Sequence, residues 1–394
     1  MMTAAARRFF NQMSILLVLY WVTTLIGAVK FLGSDALATV LPYHQSNALA
    51  SVLLQTALLS GILGASVQVF RIEADRALRL FARLWTAFVV VAGILALLGV
   101  TDGRAGLELP PLLDVILIAL LAAFCALAAR HHTVSEGSSL LWLVGMGSII
   151  AGLLVGLMPS GTFLNDRIFR VIAVGLIQPV GFILTTWTLI MARPGAPSEK
   201  SLYFMGGLLA IWGMAMIMTG LQTLIDSPVL TVVSWLSVLA LPAVGLIVVR
   251  GAFPLAAQHE HPVLIRLMQA ALLLASLLGA FHALPLVSPW IIGTRLTDAM
   301  HSLIAVAAMT PLLALALPDR RRLAIIFAAG IAVFSAALIV AGVSQVSAER
   351  TLGVGYLESQ ASLVPVYSVW AAGLLIAALA TIALGWGPRR EQQS

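Results

Sequence analysis

Long apolar runs separated by short polar breaks account for almost the whole chain. Twelve such runs are legible, at 12–33, 46–70, 80–100, 110–129, 139–158, 168–192, 202–225, 228–250, 264–286, 296–317, 322–344 and 363–386. Each is about 20 residues long, the length a helix needs to cross roughly 30 Å of hydrocarbon. The breaks carry residues that end helices: Asp102-Gly103, Pro110-Pro111, Gly137, Pro194, Pro197, Pro228, Pro254 and Pro318-Asp319. Pro179 and Pro242 fall inside runs, where a neighbouring helix can satisfy the carbonyl that proline releases. The pattern predicts an all-α integral membrane protein with twelve transmembrane helices in one domain spanning 1–394. The first run follows Arg7 and Arg8 and precedes Ala36-Leu37-Ala38, as a secretory signal would. It is longer than the ~7–15 apolar residues of a signal, so we expect an uncleaved first span.

Composition strengthens this reading. Of 394 residues, 61% are hydrophobic and only 10% are charged, against roughly 25% charged in a soluble domain. The mean hydropathy is +1.04. The lipid bilayer is the expected partner. The sequence pI near 10.1 does not point to nucleic acid, because most of the 22 Lys and Arg sit in alternate breaks. They cluster at the N-terminus, after the even-numbered spans and at the C-terminus. That asymmetry predicts a bacterial inner membrane protein with both termini cytoplasmic. Arg320-Arg321-Arg322 belongs to the same signal. Cys125 is the only cysteine, which excludes an internal disulfide or a thiolate metal cluster. The tryptophans lie largely near run ends, where interfacial anchors are expected.

The seven histidines divide by depth. His44, His282 and His301 fall at the predicted outer side, and His131, His132, His259 and His261 fall in predicted cytoplasmic breaks. Imidazole is the usual axial ligand of b-type heme, and a bundle needs two facing helices to supply a pair. His44 and His301 are candidates for such a pair. A histidine near a helix end is equally a satisfied interfacial polar group, and spacing alone leaves both open. The cytoplasmic histidines lack the i, i+4 spacing of a helical zinc site. No Asp, Glu, Lys or Arg lies between Arg170 and Arg193 or between Lys200 and Asp226. That weighs against ion-coupled transport, which relies on ionisable groups inside the membrane.

Two stretches resemble a known family. GAFHALPLVSPWIIGTRLTDAMHSL, residues 279–303, is similar to the junction of spans 9 and 10 in the large subunit of cytochrome-c-type nitric oxide reductase, of the heme-copper oxidase superfamily. The similar features are His282 before Leu284-Pro285, then Gly293-Thr294, Leu296-Thr297, Ala299 and Leu303. AGVSQVSAERTLGVGYLESQ, residues 341–360, matches at Ala341-Gly342-Val343, Gln345, Arg350, Leu352-Gly353, Tyr356 and Gln360. More weakly, His44 in LPYHQSNALASVLL opens span 2 as the family's low-spin heme ligand does. The resemblance implies a heme-copper oxidase subunit I-like bundle and a cytochrome c-type or other respiratory subunit as partner.

The departures define the expected function. The family carries His-x-His at the start of span 10. Here those positions are Met300 and Ser302, with His301 between them. The family also needs histidines in spans 6 and 7 for its second metal, and none occurs here between His132 and His259. The resemblance therefore implies no copper or non-heme iron and at most one low-spin heme b, on His44 with His301 or Met300. His282 completes the candidate cofactor-binding set, and no catalytic residue is assigned. Three readings follow. The first is a non-catalytic heme-binding or accessory protein in NO or respiratory metabolism. The second is an active b-type electron-transfer or NO/O₂ reductase subunit with rearranged ligands. The third is a heme-free transporter, with Gln55, Gln178, Thr185, Thr186 and Gln222 as its sparse polar positions.

Overall fold

The structure is a computed structural model describing residues 3–32, 43–100, 110–130, 136–158, 177–192, 207–208, 211–215, 227–251, 261–284, 287–291, 294–316 and 321–386. All regular structure among these residues is helical. The helices are α1 (Ala4–Phe31), α2 (Tyr43–Val69), α3 (Arg76–Leu97), α4 (Pro111–Arg130), α5 (Glu136–Gly156), α6 (Gln178–Met191), α7 (Pro228–Gly251), α8 (Pro262–Ala283), α9 (Ser288–Ile291), α10 (Arg295–Ala316), α11 (Arg321–Val346), α12 (Tyr356–Ser362) and α13 (Val364–Trp386). A π turn, Ser347–Thr351, joins α11 to α12. Nine helices among the described residues are long and apolar enough to cross a membrane. They match the expected spans 1 to 5 and 9 to 12. The sixth expected span is described only as α6, a shorter apolar helix, and the eighth as α7. The seventh lies largely outside the described residues.

Local chemistry sets several helix ends. The Thr3 side chain accepts from Ala6 N at 3.2 Å and the Asp75 side chain from Leu78 N at 2.7 Å, so α1 and α3 each begin on an N-cap. Pro311 sits inside α10, and Thr310 Oγ1 donates to the Val306 carbonyl at 2.9 Å beside the break it makes. Pro179, expected inside a span, occupies the first turn of α6 as described, where its missing N–H is harmless.

α2 and α10 are the most deeply buried of the long helices and form the centre of the bundle. α1 packs on α2 and α13, α13 on α11, and α11 on α10. α10 also meets α8, α6 and α2. Lipid is as apolar as leucine, so close backbone approach and interhelical hydrogen bonds supply the association. At the α11–α13 crossing a Cβ on Gly330 would lie 2.9 Å from the Gly373 carbonyl oxygen and 2.8 Å from Ala377 N. Only glycine permits that contact.

The tryptophans correct the expectation of interfacial anchors. Trp21, Trp85, Trp142, Trp187 and Trp212 are fully buried, while Trp235 and Trp290 are exposed. Three buried indoles reach a serine on another helix. Trp85 donates to Ser60 at 3.0 Å, Trp142 to Ser66 at 3.0 Å and Trp212 to Ser276 at 2.7 Å. A buried indole N–H needs an acceptor, and Ser60 and Ser66 of α2 and Ser276 of α8 provide one. These rings are interhelical ties, not membrane-surface anchors.

Candidate functional site

The two stretches that carry the family resemblance meet in space. The chain leaves α8, makes the single turn of α9, and enters α10 through Thr294. The Thr294 hydroxyl donates to the Ile291 carbonyl at 2.6 Å and accepts from Leu296 N at 3.3 Å, fixing the start of the helix. The Arg295 backbone N–H donates to Gln345 Oε1 of α11 at 3.0 Å. Gln345 Nε2 in turn donates to Glu349 Oε1 at 3.1 Å, and Ser359 Oγ donates to the same oxygen. A Cβ on Gly342 would fall 2.5 Å from Leu296 N, so this glycine is what lets α11 lie against the first turn of α10. The π turn that ends α11 carries Glu349, and π turns inside helices recur at functional sites.

Arg295 is the hub. Its Nη1 pairs with Asp298 Oδ2 at 2.8 Å, its Nε donates to the Tyr367 hydroxyl at 3.4 Å, and its guanidinium carbon stands 5.8 Å from the centre of the Tyr367 ring. The Tyr367 hydroxyl donates onward to Gln360 Oε1 at 2.6 Å. α10, α11, α12 and α13 are thus tied together at one end of the bundle.

Beside this hub lies a chamber of about 250 Å³ between α1, α2, α10, α11 and α13. Ser46, Asn47, Arg295, Asp298 and Ser302 form its polar side. Tyr20, Phe334 and Trp370 form its aromatic side, with Phe334 and Trp370 stacked at 6.1 Å. The Lys30 Nζ donates to the lining Ser46 Oγ at 3.4 Å. The indole N–H of Trp370 is buried without a hydrogen-bond partner.

Of the sequence candidates whose side chains are described, Met300, His301 and His282, none lines this chamber. Successive helix positions turn by about 100°, and the start of α10 shows it. Met300 is buried in the packed core, His301 is exposed on the outside of the bundle, and Ser302 lines the chamber. His282 is buried at the end of α8, where its Nε2 lies 3.4 Å from Thr297 Oγ1. His44 occupies the first turn of α2, three residues before Asn47. His131, His132 and His259 lie outside the described residues. His261 is buried at the start of α8, apart from the chamber lining.

The fit of a heme can be judged on the donors. The chamber's size approaches the ~300 Å³ at which small-molecule pockets begin. Among the described residues its lining, however, offers hydroxyls, an amide, a guanidinium and a carboxylate, with no imidazole, thiolate or thioether. Those are the donors that hold electron-transfer heme iron. The α10 side therefore does not fit a six-coordinate low-spin heme. Among the described residues no three His, Cys, Asp or Glu side chains group as a metal site would require.

The polar positions considered for a transport path bond within their own helices. Thr185 donates to the Gly181 carbonyl at 2.7 Å, Thr186 to that of Ile183 at 3.2 Å, and Gln55 to Ser51 at 3.5 Å. Gln178 is buried at the start of α6, and Gln222 lies outside the described residues. Sequence reasoning passed over Arg295, Asp298 and Tyr367. The signal was present as an Arg-x-x-Asp pair in the first turn of an apolar helix, where a charge demands an explanation. A scan against protein-family models finds no match to this chain, and a search of curated proteins finds none.

Proposed function

We propose that this chain is a non-catalytic relative of the nitric oxide reductase large subunit, acting as an accessory protein in NO or respiratory metabolism. In this reading twelve helices cross the bacterial inner membrane, both termini are cytoplasmic, and the chamber lies toward the outer side. One observation carries it. Of residues 300–302 of α10, it is Ser302 that lines the chamber, while His301 stands on the exposed face of the helix. Position 302 is where the resembled family places its low-spin heme ligand, and a serine hydroxyl is no substitute for imidazole. The absence of any histidine between His132 and His259 supports the same conclusion for the second metal. Without nitrogen ligands that metal has no seat from which to polarise NO or O₂ beside a heme.

A second reading retains one heme b, held from the α2 side by His44. It is favoured by the position of residue 44, one helical turn before the chamber-lining Asn47. Absorption spectra of the purified protein, oxidised and dithionite-reduced, together with metal analysis, separate the readings. A protein without a Soret band that consumes no NO supports the accessory reading. Stoichiometric heme that disappears in His44→Ala selects the second. Stoichiometric copper or non-heme iron with NO consumption overturns both.

A further inference from the structure

We infer that the groove between α1 and α3 holds an anionic phospholipid, its phosphodiester at Arg8 and Arg83 and its acyl chains along the apolar surface beyond them. Both helices begin at one face of the bundle. The end of α2 lies against the start of α1, where an ideal Cβ on Gly64 would stand 3.1 Å from Phe9 and 3.3 Å from the Ala6 carbonyl oxygen. A short link then carries the chain from α2 into α3. The Phe9 and Phe81 rings, 6.3 Å apart, pack the two starts together.

Arg8 of α1 reaches across to α3, where its Nη2 donates to Thr86 Oγ1 at 3.4 Å. The Thr86 hydroxyl spends its own proton on the Ala82 carbonyl at 2.8 Å, so it meets Arg8 as an acceptor. Arg83 and Arg79 precede Thr86 by about one and two turns on the same flank of α3. All three arginines are exposed, as are Arg7, Arg71 and Arg76 at the same end. The carboxylates there are Glu73 and Asp75. The Asp75 side chain caps α3 through Leu78 N at 2.7 Å, and Arg79 Nε bonds only its backbone carbonyl, at 3.3 Å. Among the described residues no carboxylate forms an ion pair with any of these six arginines. Charges in the links are enough to orient a chain in a membrane. Arg83 is not in a link: it lies roughly 10 Å along α3, inside a helix of membrane-spanning length. A lone cation at such a depth is costly and calls for a partner. A phosphodiester oxygen supplies one, through charge-assisted bonds about twice as strong as neutral ones.

The surface beyond the arginines sets the rest of the molecule. Past Thr86 the same flank of α3 presents Val90, Ile94 and Leu97, all exposed, and Ile15 and Leu19 continue the exposed side of α1 that carries Arg8. Gly93, about two turns past Thr86 on that flank, has nothing among the described residues within 4 Å of its ideal Cβ, which leaves room for a chain. The groove is basic first and apolar after, the order of a phospholipid entered from the head. The excess of guanidinium groups disfavours a choline head, whose own cation would lie among them, so the fit is to a head of net negative charge.

Native mass spectrometry of the full chain released from nanodiscs tests this. The nanodiscs are phosphatidylcholine alone, or phosphatidylcholine doped with phosphatidylglycerol. We expect phosphatidylglycerol to be retained in preference to phosphatidylcholine. Arg8→Gln and Arg83→Gln should each lower that retention roughly tenfold, the scale of one charge-assisted bond. Gly93→Leu changes no charge and fills the space for the chain, so it should lower retention as well. Arg322→Gln removes an exposed charge at the start of α11, outside the groove, and should leave retention unchanged. Arg79→Gln replaces either arginine variant that does not fold. Equal retention of the two lipids overturns the proposal. Equal losses from Arg8→Gln, Arg83→Gln and Arg322→Gln overturn the site in favour of bulk charge attraction. Thermal stabilisation by inorganic phosphate equal to that by phosphatidylglycerol, or retention indifferent to Gly93→Leu, overturns the assignment of a lipid.

Discussion

The contact between the first turn of α10 and the end of α11 makes a sharp prediction at Gly342. Alanine there places a Cβ 2.5 Å from Leu296 N and 2.9 Å from the Arg295 carbonyl carbon. Both are backbone atoms, so no side-chain rotation relieves the clash and the helix start itself has to move. Overpacking of this kind costs about 1–3 kcal/mol. The 3.0 Å bond from Arg295 N to Gln345 Oε1 spans the same contact, and stretching it adds about 0.5–1.5 kcal/mol. Replacing a helical glycine by alanine returns roughly 1 kcal/mol through propensity. The net expectation is a loss of about 1–3 kcal/mol. Gly147, also in a helix, has nothing within 4 Å of its ideal Cβ, so Gly147→Ala should gain up to about 1 kcal/mol. Steric-trapping unfolding in bicelles measures both variants against the same wild type. If Gly342→Ala is as stable as wild type while Gly147→Ala gains, the close approach of α10 and α11 is refuted, and with it the assembly of the chamber's α10 wall.

The remaining predictions use other parts of the bundle. Trp142→Phe should lose about 0.6 kcal/mol, and no more than about 1.7, the range for interhelical bonds in membranes. A double-mutant cycle with Ser66→Ala should show coupling, and strict additivity would remove the 3.0 Å bond between them. Tyr367→Phe should cost about 1–2 kcal/mol, since its hydroxyl accepts from Arg295 and donates to Gln360; unfolding indistinguishable from wild type contradicts the hub. Ser302→His puts an imidazole on the chamber wall, so the pure variant incubated with hemin should develop a Soret band. Met300→His, aimed into the packed core, should not, and equal bands from the two variants would contradict the register of α10.

The hydrophobic pattern made the architecture legible because lipid imposes length and apolarity on every span. Nine of the expected spans appear among the described residues as long apolar helices, with bounds that differ most at the first, which begins at Ala4 and not 12, and at the eleventh, which runs on to Thr351. The 100° step per residue was also readable along α10, and it puts Met300 in the packed core, His301 at the exposed face and Ser302 on the void. The tryptophans were misjudged because position along a span says nothing about which way a ring points. Trp85 and Trp142 sit where interfacial anchors would, yet face α2, whose serines take their N–H groups. The chamber was not legible at all. Its lining comes from five helices, and Tyr20, Ser46, Ser302, Phe334 and Trp370 share no local pattern. Only the Arg295–Asp298 spacing carried a local hint.

Stability alone does not account for that chamber. An arginine at the centre of a membrane helix carries a cost of about 2.5–3.5 kcal/mol, falling toward the ends, and Asp298 and Tyr367 offset part of what remains at Arg295. Buried ion pairs exchanged for apolar groups of similar volume are often neutral or stabilising. A leucine-filled α10 start would therefore hold the bundle at least as well. The space of about 250 Å³ beside it is a cleft open at the exposed Asn47 and Asp298, not an enclosed cavity. Water can fill the side bounded by Ser46, Asn47 and Arg295, but it leaves Tyr20, Phe334 and Trp370 as wetted aromatic surface in a lipid-facing protein. The Arg295–Asp298 pair and the open cleft beside it are therefore features that packing alone does not select.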